Sequence, residues 1–407
     1  MTVATEPDNE RILIVETKAH WQFGHHPVAF AELATELLRQ GHDVEVLTER
    51  GWALEGSPGF PAFRVHRFGP FAQHQARWAR RMWRVPPRRF GARLGDIVEA
   101  AVVVRTAARL CNQSRCADVI VVNHIDPVVG SVFATRGNWS FYENAFPQLA
   151  PRSSRGSAAL QQRIRHRYPV MQRISETLIK RRQRSGRRIR IVTSVPATRD
   201  AWAMAAPQLQ PITIPFIAAR RRQPIPDARA RLGLPQGERL ALLFGVNHPE
   251  KDSELVWEAF ASTSDWRLIV AGAKSADAYR VWASSRAEPE TQPILFDGFA
   301  DEATRSCHFA ACDVVVISFK PGKPSDSGSL VDAIAWGKAI VCSDGCPTAE
   351  VVRTYGLGRV FELGNVQSLV ESLDGAALHP DPEGLERARK EFSSSAIARR
   401  NLAALRG

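Results

Sequence analysis

No apolar run in the sequence is long enough to cross a membrane, because each is soon interrupted by a charge, as at Arg105. A spanning helix needs roughly 20 apolar residues. The acidic start also lacks the basic and apolar regions of a secretory signal, and no short internal repeat occurs. We therefore expect a cytoplasmic protein, and neither a transmembrane protein nor a solenoid or propeller.

Cysteine is scarce and its spacing is not that of a metal site. None of the six cysteines falls in a CxxC pattern, and no Asp-x-Asp motif is present. Zinc ribbons require the first pattern, so free buried thiols are the expected state and no metal site is expected. The cysteines are Cys111, Cys116, Cys307, Cys312, Cys342 and Cys346.

Positive charge is in excess, whereas the rest of the composition is that of an ordinary globular protein. The chain of 407 residues has a net charge of +12 and is 44% hydrophobic. This length predicts two domains, and the charge predicts an anionic partner such as nucleic acid, a phospholipid surface or a phosphorylated substrate. We place the first domain at 1–217, a linker at 218–237, the second domain at 238–385, and a helix returning to the first domain at 386–407.

Short β-branched runs alternate with segments of helical spacing along both halves. Runs of this kind form parallel strands buried on both faces, so the pattern predicts doubly wound α/β sheets. The predicted strands lie at 11–16, 44–48, 63–68, 118–123, 189–194 and 212–216 in the first half, and at 240–246, 266–271, 293–296, 313–319, 339–342 and 359–363 in the second. Ligands bind beyond the carboxyl ends of such strands.

The loop with the most specific chemistry opens a helix in the second half. Ser327, Gly328 and Ser329 stand at the helix start, where free N–H groups and the positive end of the dipole attract a diphosphate. Asp332 follows on the same helix and can accept hydrogen bonds from a ribose diol. A capped surface helix without a ligand is the equally open alternative.

Three other loops carry candidate residues. Lys251, beyond Gly245, can neutralise a phosphate, or it is a solvated lysine. His124 follows the strand at 118–123 and can contact a sugar hydroxyl or move a proton, or it is a structural histidine. Gly24 permits close approach of the backbone to a ligand.

The sequence resembles the GT-B glycosyltransferases of family 4 at four places. Its opening helix ends in Arg-Gln-Gly-His-Asp-Val-Glu-Val, and Phe244 to Lys251 is similar to that family's phosphate loop. Phe-Asp-Gly-Phe at 296–299 and Asp-Ala-Ile-Ala-Trp-Gly-Lys-Ala-Ile-Val from Asp332 are similar to two further motifs. The resemblance implies two Rossmann-like doubly wound domains facing each other across a cleft.

The resemblance also implies an activity and a role for each candidate. The expected enzyme transfers a sugar from a nucleotide-diphosphate sugar to an acceptor, with retention of configuration, no metal and no cofactor beyond this co-substrate. Asp332 would bind the ribose, and His124, as one of two catalytic residues with Lys251, would contact the donor sugar. The other donor-binding residues would be Gly24 on the phosphate side, Gly245 and Lys251 in the phosphate loop, Gly298 and Phe299 at the base, and Ser327, Gly328 and Ser329 at the diphosphate.

Two basic segments, 76–93 and 163–190, mix cations with aromatic or apolar residues. They predict contact with an anionic membrane at its inner face and a lipid-linked or otherwise anionic acceptor, although a solvated basic surface is equally open. Two other hypotheses remain. Val246 and Pro324 replace residues of the family motifs, which favours a catalytically silent GT-B-like binding or partner subunit. Nucleic-acid binding is motivated by charge alone and is the least favoured.

Overall fold

The computed structural model describes most of the chain, in two compact units. The described residues are 11–17, 26–51, 63–82, 88–122, 125–135, 137–143, 169–194, 196–215, 222–286, 292–320, 327–373 and 379–407. Among them, the first unit takes in residues up to 215 together with 394–407, and the second takes in 222–393.

The first unit contains a parallel sheet of seven strands. In space they follow the order β3-β2-β1-β4-β5-β6-β7, so the chain runs outward from β1 to one edge and then returns to the other side of β1. The strands are β1 (Ile12–Glu16), β2 (Val44–Thr48), β3 (Arg64–Arg67), β4 (Asp118–Val121), β5 (Asn138–Glu143), β6 (Ile189–Thr193) and β7 (Ile212–Thr213). The helices that the structure describes in this unit before α15 are α1 (His26–Arg39), α2 (Pro70–Met82), α3 (Arg88–Ser114), α4 (Pro127–Phe133), α5 (Pro169–Gln183) and α6 (Pro196–Ala205). Among all the helices that the structure describes, none combines the length and apolar character that a membrane span requires.

The second unit repeats this plan with six parallel strands. Their spatial order is β10-β9-β8-β11-β12-β13, and the direction of progression reverses between β8 and β11. The strands are β8 (Leu240–Phe244), β9 (Arg267–Ala271), β10 (Ile294–Phe296), β11 (Val314–Ile317), β12 (Ala339–Ser343) and β13 (Gly358–Phe361). The helices are α7 (Ala228–Arg231), α8 (Ser253–Ala261), α9 (Ser275–Ala283), α10 (Glu302–Ala311), α11 (Gly328–Trp336), α12 (Pro347–Tyr355), α13 (Val366–Leu373) and α14 (Pro382–Glu391).

The last helix, α15 (Ser394–Arg406), belongs to the first unit. It packs on α1 and β5, and its buried Asn401 exchanges hydrogen bonds with the hydroxyl of Tyr142 on β5 at 2.7 and 3.0 Å. Arg406 adds an ion pair with Asp118, at 2.7 Å. The sheet of the first unit therefore has α1 and α15 on one face.

The opposite face of the same sheet is covered by α2 to α6. Leu13, Val119 and Phe141 point into a core that these five helices share, whereas Ile12 and Ile120 point into the core beneath α1 and α15. Successive residues of a strand alternate between the two faces, so both cores are built from the same strands. Because both faces of β1 and β4 are buried, apolar residues are required at successive positions, which explains the β-branched runs seen in the sequence.

Three features differ from the sequence-based expectations. β5 was missed, because its sequence Asn-Trp-Ser-Phe-Tyr-Glu has no β-branched residue and gains its place from pairing with β4 and β6. The helix expected at 386–407 is broken near Phe392 into α14 and α15. The described part of the expected linker packs within the second unit. There the Nη2 atom of Arg229 donates to both carboxylate oxygens of Asp313, at 2.8 and 2.9 Å.

Candidate functional site

The loops after β8 and β11 emerge side by side at the carboxyl edge of the second sheet. These strands are neighbours, and the chain leaves them in opposite directions, which opens a crevice at the point of reversal. Such switch points are where open α/β sheets bind ligands. A short antiparallel bridge between Lys251 and Phe319 joins the two loops.

Close backbone packing fixes the loop that follows β8. A Cβ atom added to Gly272 would lie 2.6 Å from the carbonyl oxygen of Gly245, and both glycines have positive φ, +116° and +107°. The hydroxyl of Ser275 also donates to the Gly245 carbonyl, at 2.6 Å. Only glycine tolerates both the dihedral angle and the contact at position 272, so the start of the loop has little freedom to move.

Lys251 and Ser329 converge on a single atom at this crevice. The ammonium group of Lys251 donates to the carbonyl oxygen of Phe244 at 2.9 Å, and the hydroxyl of Ser329 donates to the same oxygen at 3.3 Å. The lysine comes from the loop after β8, and the serine comes from the first turn of α11. The fold thus brings together a cation and a helix start that lie far apart in the sequence.

The start of α11 is built to leave donors available. Ser327 is its N-cap residue, with φ −100° and ψ 121°, but the Ser327 side chain makes no capping hydrogen bond. The first N–H groups of a helix have no intrahelical partner, and the helix dipole places positive charge there. Gly328 and Ser329 form the first turn, so a negatively charged group is favoured beside them.

Asp332 is the most unusual ionisable group of the crevice. It lies one turn into α11 with 9% of its surface exposed, and its Oδ2 atom has no hydrogen-bond partner. Among the described residues, Arg305 places a cation 3.8 Å from that oxygen, which is beyond hydrogen-bonding distance. Burial raises the pKa of Asp332 to about 6, in spite of the opposing charge of Arg305.

Arg305 was not among the residues singled out from the sequence. It lies on α10, where it also pairs with Glu302 at 2.5 Å, and Glu302 in turn pairs with Arg222 at 2.8 Å. His308 follows one turn later and is buried, with Nδ1 2.8 Å from the carbonyl oxygen of Thr304. The spacing of three residues between Glu302, Arg305 and His308 was the available signal, because it places all three on one helical face.

Gly298 and Phe299 occupy the loop after β10, two strands away from β8 along the same edge. Gly298 has a φ of +80°, and Phe299 is 56% exposed. The sheet therefore places them on the ligand side without setting them beside Lys251. Their assignment to a base site stays a prediction.

Gly24 and His124 lie outside the described residues, and so does Pro324. Gly24 follows β1 in the sequence and His124 follows β4, and these two strands are neighbours in the first sheet. Their roles stay predictions that rest on the resemblance.

Comparison with known proteins assigns the class of fold. Over 98% of each chain, the structure is similar to a glycosyltransferase from Rickettsia africae, with a TM-score of 0.67 and 12% identity. A sucrose-phosphate synthase from Thermosynechococcus elongatus gives 0.64 at 14% identity, covering 96% of this chain and 97% of that one. HepE from Anabaena, solved in complex with UDP-glucose, also gives 0.64 at 14% identity, covering 97% and 98%. The predicted GT-B fold is thereby confirmed.

The second unit supplies the more specific identification. Residues 224–395 match the family described as Glycosyl transferases group 1. That range coincides with the unit that holds Lys251, Ser329 and Asp332. The second unit therefore matches a group 1 glycosyltransferase domain, in agreement with the sequence resemblance. No curated protein matches the chain in sequence.

Proposed function

We propose that the protein transfers a sugar from a nucleoside diphosphate sugar to an acceptor, with retention of configuration and without a metal ion. The observation that carries the proposal is the convergence of Lys251 and Ser329 on the Phe244 carbonyl at the start of α11. A capped surface helix without a ligand gives no reason for a lysine from another loop to lie there.

The chemistry asked of this site is stabilisation of a leaving group. When the bond between sugar and phosphate breaks, negative charge grows on the departing diphosphate. The ammonium group of Lys251 and the first turn of α11 are positioned before the reaction to receive that charge, which is the usual role of fixed donors in catalysis. In this proposal they supply what a bound metal ion supplies in other enzymes.

Asp332 gives the site a way to recognise the nucleoside. Its unpartnered Oδ2 is a buried acceptor, and the two hydroxyls of a ribose are donors of the required kind. Buried polar atoms normally have a partner, so a ligand hydroxyl at this position removes an energetic penalty. Gly298 and Phe299 at the base, Gly24 at the phosphate side and His124 at the donor sugar complete the proposed set.

UDP is the first nucleotide to test, because the similar protein HepE was solved with UDP-glucose. For the acceptor we propose a lipid-linked or otherwise anionic compound, since the first unit carries the basic segments. The proposed location is the cytoplasm, at the inner face of the membrane.

The test is calorimetric titration of UDP into wild-type protein and three variants. Lys251→Met and Ser329→Ala should each weaken binding, by about 10- to 100-fold for the lysine, because bonds to charged groups contribute roughly 1.5–3 kcal/mol. Lys390→Met removes the same charge from the exposed face of α14 and should leave the affinity unchanged. Equal affinities in Lys251→Met and wild type would refute the proposed diphosphate site.

Transfer itself needs a separate measurement. Wild-type protein should release sugar from one member of a panel of nucleotide sugars, and chelation by EDTA should leave the rate unchanged. If EDTA abolished sugar release and added Mg²⁺ restored it, the metal-independent mechanism would be refuted. The proposed diphosphate site would not be affected by that result.

A catalytically silent binding subunit is the second candidate, and one observation favours it. Val246, half exposed in the loop after β8, stands where the resembled family has a phosphate-binding arginine. This candidate expects normal UDP binding, no sugar release from any donor, and recovery of a partner protein on pull-down.

A further inference from the structure

Two of the six cysteines meet at the carboxyl edge of the second sheet. Cys342 is the fourth residue of β12, and Cys346 stands immediately before α12. Neither forms a disulfide, and their thiols interact directly with each other. Gly345 lies in the turn between them with a φ of +71°, a conformation that glycine adopts without strain. The turn thus returns the second thiol to the end of the strand that carries the first.

The position of Cys346 at a helix start favours a thiolate. Cys346 is the N-cap residue of α12, with φ −119° and ψ 158°. The N–H groups of Thr348 and Ala349 in the first turn favour negative charge on its sulfur atom, and the helix dipole acts in the same direction. The Sγ atom also lies 3.0 Å from the carbonyl oxygen of Ser343, to which the protonated thiol donates. That carbonyl favours the thiol, whereas the helix start favours the thiolate.

A cation and the partner thiol decide the balance. Arg353 on α12 pairs with Asp344 at 2.9 Å, and its charge acts on both sulfur atoms. Hydrogen bonding with the Cys342 thiol, helped by the backbone N–H groups, holds the pKa of Cys346 below its usual range although burial opposes the shift. The hydrogen bond to Cys346 and burial raise the pKa of Cys342. A sulfur that ionises readily therefore lies beside one that keeps its proton.

A second pair of neighbouring cysteines provides a comparison within the same chain. The thiol of Cys111 donates to the carbonyl oxygen of Cys116 at 3.0 Å, and both residues are buried. This pair lies at the end of α3, where the helix dipole places negative charge. Hydrogen bonding with Cys111 and burial raise the pKa of Cys116. Contact between cysteines is common to both pairs, but a stabilised thiolate occurs at Cys346 and not at Cys116.

We infer that Cys346 and Cys342 are a site of reversible oxidation, at which a peroxide converts the two thiols into a disulfide. A thiolate at a helix start is the reactive form of cysteine, and a second thiol within reach is what closes the disulfide. Cys346 is 8% exposed and adjoins the exposed Gly345, which gives access to an oxidant as small as hydrogen peroxide. The inference concerns these two thiols and does not depend on sugar transfer.

The oxidation has two steps. In the first, the Cys346 thiolate attacks one oxygen of the peroxide, so that a sulfur–oxygen bond forms, the oxygen–oxygen bond breaks and hydroxide leaves. Cys346 is thereby oxidised to a sulfenic acid, and the hydroxide takes up a proton to become water. In the second, the sulfur of Cys342 attacks the sulfenic sulfur, and the displaced hydroxide leaves with the thiol proton as a second water. A dithiol reductant reverses the result by thiol–disulfide exchange.

The test is mass spectrometry of folded wild-type protein after exposure to hydrogen peroxide. Excess peroxide is removed with catalase, the protein is unfolded in urea, and the remaining thiols are labelled with N-ethylmaleimide. Trypsin cuts after Lys338 and Arg353, so the peptide 339–353 carries both cysteines of the pair. This peptide should lose two hydrogen atoms and take up no label, and dithiothreitol should restore both labels. The peptides that contain Cys111 and Cys116 should keep their labels at the same peroxide concentration.

Variants separate the two steps and the role of the cation. Cys342→Ser should stop the reaction at the sulfenic acid of Cys346, which dimedone labels, and Cys346→Ser should leave Cys342 reduced. Arg353→Gln should slow the loss of the two thiols, because it removes a positive charge that acts on both sulfur atoms. The matched control is Lys390→Gln, which removes an exposed charge from α14 and should leave the rate unchanged.

Three results would overturn the inference. The first is full labelling of peptide 339–353 after peroxide treatment of the folded wild type, which requires no variant. The second is equal loss of label at Cys111 and Cys116, because the start of α12 would then confer no special reactivity. The third is dimedone labelling of Cys342 in the Cys346→Ser variant as fast as that of Cys346 in the Cys342→Ser variant. None of these measurements uses UDP, so failure of the proposed sugar transfer would leave their outcome unchanged.

Discussion

Replacing Asp332 by asparagine should make the protein more stable and a weaker binder of UDP. The buried carboxyl has a pKa of about 6, against 3.8 for the ordinary group, and burial is the main cause. Ionising it therefore costs about 3 kcal/mol more in the folded chain than in the unfolded chain. Asparagine keeps the shape and removes the charge.

The direction of the pH dependence follows from the raised pKa. The folded chain holds the proton of Asp332 more tightly than the unfolded chain, so its contribution to stability is greatest below about pH 4. That contribution falls as the pH rises, and the loss grows by ~1.4 kcal/mol between pH 5 and pH 8. Because asparagine does not titrate, the gain of the variant over wild type should increase by the same amount across this range.

The assay is thermal unfolding of wild type and Asp332→Asn at pH 5 and pH 8. For a unit of this size, the difference in Tm should grow by about 3–6 °C between the two pH values. Any fixed cost of the new amide group cancels, because it does not depend on pH. UDP affinity at pH 8 should fall about 10- to 100-fold, as bonds from hydroxyls to a charged acceptor are lost.

Asp265→Asn provides the control, since Asp265 is exposed and lies just before β9, at the opposite edge of the sheet. It should change neither the pH dependence nor the affinity. A Tm difference between Asp332→Asn and wild type that is the same at pH 5 and pH 8 would refute the account of Asp332 as a costly buried charge. Unchanged UDP affinity would refute its role in the ligand site.

Three further substitutions test other parts of the structure. Gly272→Ala should lower the free energy of unfolding by at least about 3 kcal/mol, because position 272 has a positive φ and the new methyl group would meet the backbone of Gly245. The measurement is Tm, and a variant with the Tm of wild type would contradict this account. Burial lowers the pKa of His308 below 6.5, so wild type loses stability as the pH falls through that value. The advantage of His308→Leu in Tm should therefore be larger at pH 5 than at pH 8, and the reverse trend would argue against burial as the cause. Asn401→Leu should lower the free energy of unfolding in urea by about 1–3 kcal/mol, because it removes both hydrogen bonds between the Asn401 amide and the Tyr142 hydroxyl, and adding Tyr142→Phe should recover part of the loss.

Most of the fold was predictable because buried parallel strands leave a local signature. β8 and β11 are apolar throughout and β1 and β4 are apolar except for one terminal carboxylate, and each strand was expected within two residues of its observed bounds. β5 has no such run, and the packing of Trp139 and Phe141 against the shared core decides its state. Strand pairing over long distances in sequence is a tertiary property that no local pattern contains.

The candidate site was predictable to the extent that it depends on loop position. Lys251 and Ser329 both follow strands, and parallel strands deliver their loops to one edge. The burial of Asp332 and its long contact with Arg305 depend instead on how α10 packs against α11, which the spacing of charges along one helix does not reveal.

The return of α15 to the first unit makes that unit discontinuous in the chain. Ile397, Ala398 and Leu405 fill the core beneath α1, yet 175 residues of the second unit, Ala219–Ser393, precede them. During synthesis the second unit can close on itself before the ribosome has delivered the final piece of the first. Until α15 has been synthesised, part of the apolar face that it covers in the first unit stays exposed to solvent. We therefore expect chaperones to bind the nascent chain at that stage.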